Sequence, residues 1–372
     1  MNDPAALLRL ARTESVGPIT YRRLLARFGS VEDALAALPD LARNGGRAAP
    51  PRSPEPSEIE REMNAVRKLG GRFIFLDTPD YPDYLAELAD APPVLAVLGD
   101  VALLSAPSIG IVGARNASAN GMRLAETLGA DIAERYPVVS GLARGIDTSA
   151  HTGALRTGRT VAVIAGGLDV PYPEENTALQ RRIGELGAVV AEAPLGTAPI
   201  ARHFPKRNRI IAGLTRGLVV IEAAARSGSL LTARLAGEAG REIFASPGHP
   251  FDPRSTGGNE LIRQGAHLTE TAVDVFENLP AHTELRRIGH KQPAHFADAT
   301  PEWPAPVPVV QELPIARRKI IPLLGFEPVT VDEIARRCQL SIAAIRAVIL
   351  ELELAGVAET LPGDRVVRLE DL

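Results

Sequence analysis

Six short apolar runs mark the middle of the chain, at 108–112, 137–140, 160–165, 188–192, 217–222 and 241–246. Each is continuous rather than alternating with polar residues, the pattern of a strand buried on both faces. Between them apolar residues fall at helical spacing, and Gly158, Gly187 and Gly240 stand where a helix hands the chain back to the next strand. Regular alternation of strand and helix predicts an α/β core built on a doubly wound, mostly parallel sheet. In that architecture ligands lie beyond the carboxyl ends of the strands, so the loops after these runs are where chemistry is expected.

The flanks read differently. Residues 1–41 carry apolar positions at helical spacing, with Ser30 and Asp33 placed to cap a second helical run. "VGP" followed by "YRRLLARFGS" suggests a helix-hairpin-helix (SAM-like) unit, although only half of the usual Gly-x-Gly hairpin is present, so a structural or docking role and DNA contact both stay open. Two stretches dense in Pro, 42–58 and 279–314, read as linkers around a core at 59–278. The remainder, 315–372, reads as a winged helix: Thr330 with Glu333 as a capping box, Ser341 as a cap, Gly356 as a stop, and two short strands around "LPGD". Its would-be recognition helix, 342–355, sets one base, Arg346, against Glu351 and Glu353, which favours a partner or dimer contact over a DNA groove.

Composition changes this picture little. The 372 residues carry a net charge of −4 and 45% hydrophobic positions, ordinary for a globular protein of two or three domains. No apolar run approaches the roughly 18 residues of a membrane span, and the first fifteen residues make a poor signal peptide because Asp3 and two arginines interrupt them. A lone cysteine, Cys338, excludes an internal disulfide and a cysteine metal cluster. A cytoplasmic protein is the expectation.

Against this mildly acidic background, "RHFPKRNRIIAG" gathers Arg202, Lys206, Arg207 and Arg209 within eight residues. Pro205 predicts an extended Phe204 and then a helix start, where cations oppose the helix dipole unless an anion sits there. Phe204, with Asn208 nearby, offers a face on which a base could stack. "GIVGARNASANG" leaves the first run with Gly113, Ala114, Arg115 and Ser118, a turn suited to one phosphate, while the G-x-G-x-x-G dinucleotide signature is absent and no cofactor is expected. "SGLARGIDTSAH" places Gly141 and Gly145 around Arg144, a candidate anion nest. Asp147 and His151 lack a third metal ligand and read as a helix cap and a packed histidine. "EAAARSGSLLTA" adds Ser227, Gly228 and Ser229 at another helix start, with Glu222 either pairing with the arginines or bonding a base or sugar. Positive charge over several strand ends suits a ligand whose phosphates are spread out, as in a single nucleic-acid strand.

"VGARNAS", "SGLARGIDTSAHTGAL", "TVAVIAGGLDVPYPEEN", "HFPKRNRIIAGL", "VVIEAAARSGSLLTARLAGEAGREIFASPG" and "GGNELIRQGA" occur in this order from about residue 70 to 278. Together they resemble the DNA-processing protein A (DprA/Smf) family of bacteria. The resemblance implies a Rossmann-like core and a single-stranded-DNA-binding protein of natural transformation that protects incoming strands and loads the recombinase RecA. It also implies DNA contact through Gly113–Arg115 and Phe204–Arg209, a frequent homodimer, and no catalytic residues. Asn120 departs from the aromatic that the family often carries there. The competing class is an enzyme, a nucleotide N-glycosidase resembling the phosphoribohydrolases, whose Pro-Gly-Gly-x-Gly-Thr loop is only partly echoed by "STGGNELI".

Overall fold

A computed structural model describes residues 3–280 and 309–369; most of the second stretch read as a linker lies outside the described residues. The chain divides into two compact units, one of residues 60–284 and one formed by 1–59 together with 285–372.

The first unit is built on a nine-stranded sheet. Its strands are β1 Gly71–Phe75, β2 Val94–Gly99, β3 Ile109–Gly113, β4 Val138–Ser140, β5 Thr160–Ile164, β6 Ala188–Ala191, β7 Gly217–Ile221, β8 Glu242–Ala245 and β9 His267–Leu268. The order is β1-β2-β6-β5-β4-β3-β7-β8-β9. β1 pairs antiparallel with β2, and β2 with β6, while β3 to β9 are joined in parallel. The six apolar runs are β3 to β8. β1, β2 and β9 were not legible: β9 has two residues, and β1 and β2 lie outside the alternation of strand with long helix.

Both faces of the sheet are buried. Along β7, Leu218 and Val220 enter one apolar cluster, with Val112, while Val219 and Ile221 enter another, with Ile109 and Ile111. At roughly 1.5–3 kcal/mol per fully buried aliphatic side chain, those four residues of β7 contribute about 6–12 kcal/mol of transfer free energy. A charged residue at Val219 would break this layer. The chain runs from β3 through β4 and β5 to β6, then returns to place β7 on the other side of β3. The ends of β3 and β7 are therefore the switch point where a doubly wound sheet opens a crevice.

The second unit joins the chain's two flanks. Helices Pro4–Ala11, Pro18–Phe28 and Val31–Asn44 form the leading part. Helices Val309–Ile320, Val331–Cys338 and Ile342–Leu354, with a small sheet of β10 Val329–Thr330, β11 Ala358–Leu361 and β12 Arg365–Arg368, form the trailing part. Ser30 accepts from the Asp33 amide (3.1 Å), Thr330 from Glu333 (3.2 Å) and Ser341 from Ala344 (3.2 Å), and Gly356 takes φ 75° after the last helix. The expected capping box at Thr330 is only half made, because the Glu333 carboxylate pairs with Arg336 and Arg337 at 2.7 and 2.6 Å.

The two parts are tied through the helix read as a recognition helix. Thr20 Oγ1 donates to Glu353 Oε2 (3.2 Å), and Arg23 reaches Thr360 Oγ1 (3.0 Å) and Asp364 (3.3 Å). Gly45 lies so near the Glu351 carbonyl that an added Cβ would meet its oxygen at 2.1 Å. Glu351 holds Arg317 through two bonds of 2.7 and 2.8 Å. Glu351 and Glu353 are 1% and 4% exposed, so they do not form the outward acidic face that their sequence positions suggested. Burial raises the Glu353 carboxyl above its usual range, with the Thr360 and Thr20 hydrogen bonds and the Arg23 charge opposing the shift.

Candidate nucleic-acid interface

The loops beyond the carboxyl ends of β3, β4, β5 and β7 meet, as the topology requires, but they divide the predicted residues into two sets. At the end of β3, Gly113 is needed for packing: a Cβ there would lie 1.9 Å from the Ile221 carbonyl oxygen. Ala114 bonds on both sides, its amide to Ile221 O (3.3 Å) and its carbonyl to the Ile146 amide (3.2 Å). Ser118 caps helix Ala119–Ala133 by accepting from the Gly121 amide (3.0 Å). Its own amide (2.8 Å) and hydroxyl are held by the Glu222 carboxylate. Glu222 thus places negative charge at a helix N-terminus, the favourable end of the dipole, instead of pairing with the arginines. Arg115 is left exposed.

The loop after β4 is a nest already filled. The amides of Gly141 and Ala143 donate to Asp147 Oδ2 at 3.2 and 3.3 Å, so the chain's own carboxylate occupies the place expected for a ligand anion. Gly145 adopts φ 72°, and a Cβ there would lie 2.4 Å from the Ala114 carbonyl oxygen, which locks this loop against the one after β3. Arg144 faces out but pairs with Glu175 at 2.7 Å. His151 packs as expected, its Nδ1 2.7 Å from Thr160 Oγ1. Burial, then the Arg207 charge, lowers its pKa to about 3, so the ring is neutral.

Helix His203–Leu214 splits its basic residues. Arg202 and Lys206 are exposed. Arg207 is 5% exposed; its guanidinium lies directly over Gly141, where a Cβ would overlap Nη1 at 1.3 Å, and its Nη1 donates to the Val163 carbonyl (3.3 Å). Burial brings its pKa down to about 10, against the pull of Asp147. Desolvation likewise raises Asp147, with Arg207 and the two amides opposing. Arg209, 8% exposed, binds Glu192 (2.5 Å) and the Asp90 carbonyl. Asn208 Nδ2 donates to Gly228 O (3.4 Å) and so joins this helix to the start of helix Gly228–Glu238. Ser227 and Ser229 share a hydroxyl contact of 2.6 Å at that start.

Phe204 connects the exposed part. The helix begins one residue before it, so Phe204 is helical rather than extended. Its tertiary contacts override the local preference of a residue before proline. The Arg115 guanidinium carbon stands 4.8 Å from its ring centroid, Arg207 at 6.0 Å, and the Tyr172 ring at 5.7 Å. Phe204, Tyr172, Pro199, Ile164 and Gly141 line a narrow cleft with Arg207 on its wall. His203 registers the surrounding charge: after burial, Arg202 and then Lys206 lower its pKa. Two further residues join the site without having been singled out from sequence, Tyr172 and the exposed Arg226 beside Ser227. Among the described residues, Arg115, Arg202, Lys206 and Arg226 form no ion pair, and no helix is long and apolar enough to cross a membrane.

Three family models match the chain in order: the DprA-like N-terminal HHH domain over residues 2–65, DNA recombination-mediator protein A over 72–280, and the DprA winged helix domain over 304–364. Protein Smf of Synechocystis sp. is 31% identical, covering 99% of this chain and 99% of its own. The structure of DNA processing protein A from Streptococcus pneumoniae is similar with a TM-score of 0.65 and 34% identity, over 76% of this chain and 100% of that one. That of DNA processing protein A from Helicobacter pylori, a study of its single-stranded DNA binding mode, has a TM-score of 0.51 and 29% identity, over 56% and 95%.

Proposed function

Since the chain belongs to the DNA recombination-mediator protein A family, we propose that it binds single-stranded DNA at the strand-end loops of its core during DNA processing in transformation. The carrying observation is the Phe204 ring set against Arg115 and Tyr172 beside the uncompensated Arg202 and Lys206. Cations spaced around an aromatic face suit a strand whose phosphates and unpaired bases are both accessible. In this reading Arg115, Arg202 and Lys206 meet phosphates, Phe204 stacks on a base, and the helix start at 227–229 offers amides. Gly113, Ala114, Ser118, Gly141, Gly145, Arg207, Asn208 and Arg209 shape and brace that surface, and Arg144 joins it by exchanging Glu175 for a phosphate.

The finer part of the proposal is delivery. The protein, as a homodimer, protects the strand and passes it to the recombinase RecA, without chemistry of its own. The enzyme alternative draws no support from the site's carboxylates: Glu222 and Asp147 are held by amides and Glu192 by Arg209.

Anisotropy titrations with matched single-stranded and duplex oligonucleotides test the binding. We expect preference for the single strand with little sequence dependence, and affinity that falls as salt rises; equal affinity for duplex would overturn it. Delivery is read from RecA filament formation on strands coated with single-strand-binding protein. Inhibition instead of stimulation would leave a coating protein only.

A further inference from the structure

Phe251 is 90% exposed, the most exposed large apolar side chain among the described residues. It sits on the loop after β8, and this loop is pinned. Gly248 and Asn259 exchange two hydrogen bonds (3.1 and 2.9 Å), Asp252 takes the Arg254 guanidinium at 3.0 and 2.8 Å, and the Ser255 amide donates to the Asp252 carbonyl (2.9 Å). The Phe251 amide donates to His249 Nδ1 (3.3 Å), and the two rings stand 5.5 Å apart. The fold thus holds an aromatic ring out in water, where it forgoes the burial that would favour it.

The loop is continuous with the candidate interface. β8 runs parallel to β7, so the loop leaves the same edge of the sheet. The Gly257 amide donates to the Ala223 carbonyl (2.7 Å), next to Glu222, and Arg254 lies close enough to Glu222 for their charges to interact. At the other end of the same edge, Phe204 shares its cleft with Gly141 and Ile164, at the ends of β4 and β5. From β5 to β8 the order β5-β4-β3-β7-β8 makes four inter-strand steps, about 19 Å at the usual spacing. An extended single strand crosses that distance in about three nucleotides, and Arg115 and Arg226 stand between the two rings.

We propose that Phe251 is a second base-stacking position, which fixes the far end of a single strand laid across the ends of β5 to β8. This rests on the DNA-binding reading above. The occupant is a nucleobase rather than a second copy of the chain. The ring lies beside the exposed Pro247, Pro250 and Pro253 and the Asp252–Arg254 pair, on the sheet edge that also carries the exposed Arg115 and Arg226, so an anionic strand suits it better than an apolar protein face.

The test uses the full chain and labelled oligo-dT of increasing length. Affinity should step up once the oligonucleotide reaches both rings. Phe251→Ala should lose about tenfold on the long strands and nothing on the short ones, and Phe251→Trp should restore the step with its fluorescence quenched by DNA. Equal affinities of Phe251→Ala and the natural chain at every length would overturn the inference while leaving the DNA reading intact. No binding by the natural chain at any length would overturn the DNA reading itself. A Phe251→Ala change that alters oligomeric mass in light scattering, with the length dependence unchanged, would assign the ring to a contact between copies and overturn it too.

Discussion

Helix His203–Leu214 in the first unit and helix Ile342–Leu354 in the second both carry charge that the sequence set against nucleic acid, and they dispose of it in opposite ways. The first divides its cations: Arg207 and Arg209 point inward to carbonyls and to Glu192, while Lys206, with the preceding Arg202, stays out without an ion partner. The second turns both acids inward, to Arg317 and to Thr20 and Arg23, and its one base, Arg346, is closed on Asp364 at 2.5 Å. A charge is available to a ligand only where the fold leaves it accessible and uncompensated. By that measure the core helix offers a positive surface. The other helix offers no acidic face to repel DNA and no free base to attract it.

The largest expected effect breaks the inward set. Arg209→Ala removes the bonds to Glu192 and to the Asp90 carbonyl and should cost the core about 1–3 kcal/mol in urea unfolding. The pair Arg202→Ala and Lys206→Ala should shift stability by no more than about 0.5 kcal/mol per site. If Arg209→Ala kept full stability and lost DNA affinity, the division into bracing and binding arginines would be wrong. Next in size, Arg115→Ala should weaken single-strand binding about tenfold and flatten the logarithmic salt dependence by about one unit. The same change at Arg346 should leave affinity within about twofold; a loss equal to that at Arg115 would show the trailing helix touching DNA.

The smallest effect concerns Glu353. Its folded-state pKa is raised, so the protonated acid is the form that the fold favours. The natural chain should gain stability as pH falls through that raised value toward the ordinary 4.5, with no further gain below it. Glu353→Gln lacks this titration. The stability of the natural chain minus that of the variant should therefore rise on acidification; a difference flat with pH would mean that Glu353 is not buried against Thr20 and Thr360 in solution.

The core sheet was legible because β3 to β8 are continuous apolar runs, and their strand ends pointed to the loops that meet beside the switch point. The inward turn of Arg207 was also within reach: with Ile211 and Leu214 it falls at i, i+4 and i+7, the buried stripe of its helix. The roles of Glu222 and Asp147 were less so. Glu222 meets Ser118 from 104 positions away, and no spacing rule foretells that a chain will fill its own anion nest. Glu353 and Thr20 are 333 positions apart, so the inward acids of the trailing helix read as surface charge until the fold joined them.

That last separation also sets an order of events during synthesis. The leading helices leave the ribosome first, but the helix that bonds to Thr20 and Arg23 begins at Ile342. At about 5–20 residues per second it follows residue 59 by about 15–60 s. The whole of residues 60–284 emerges in that interval, so the sheet can close while the leading helices still lack their counterpart. A nascent chain stalled after the core would hold a finished sheet with its strand-end loops in place and an unfinished companion unit.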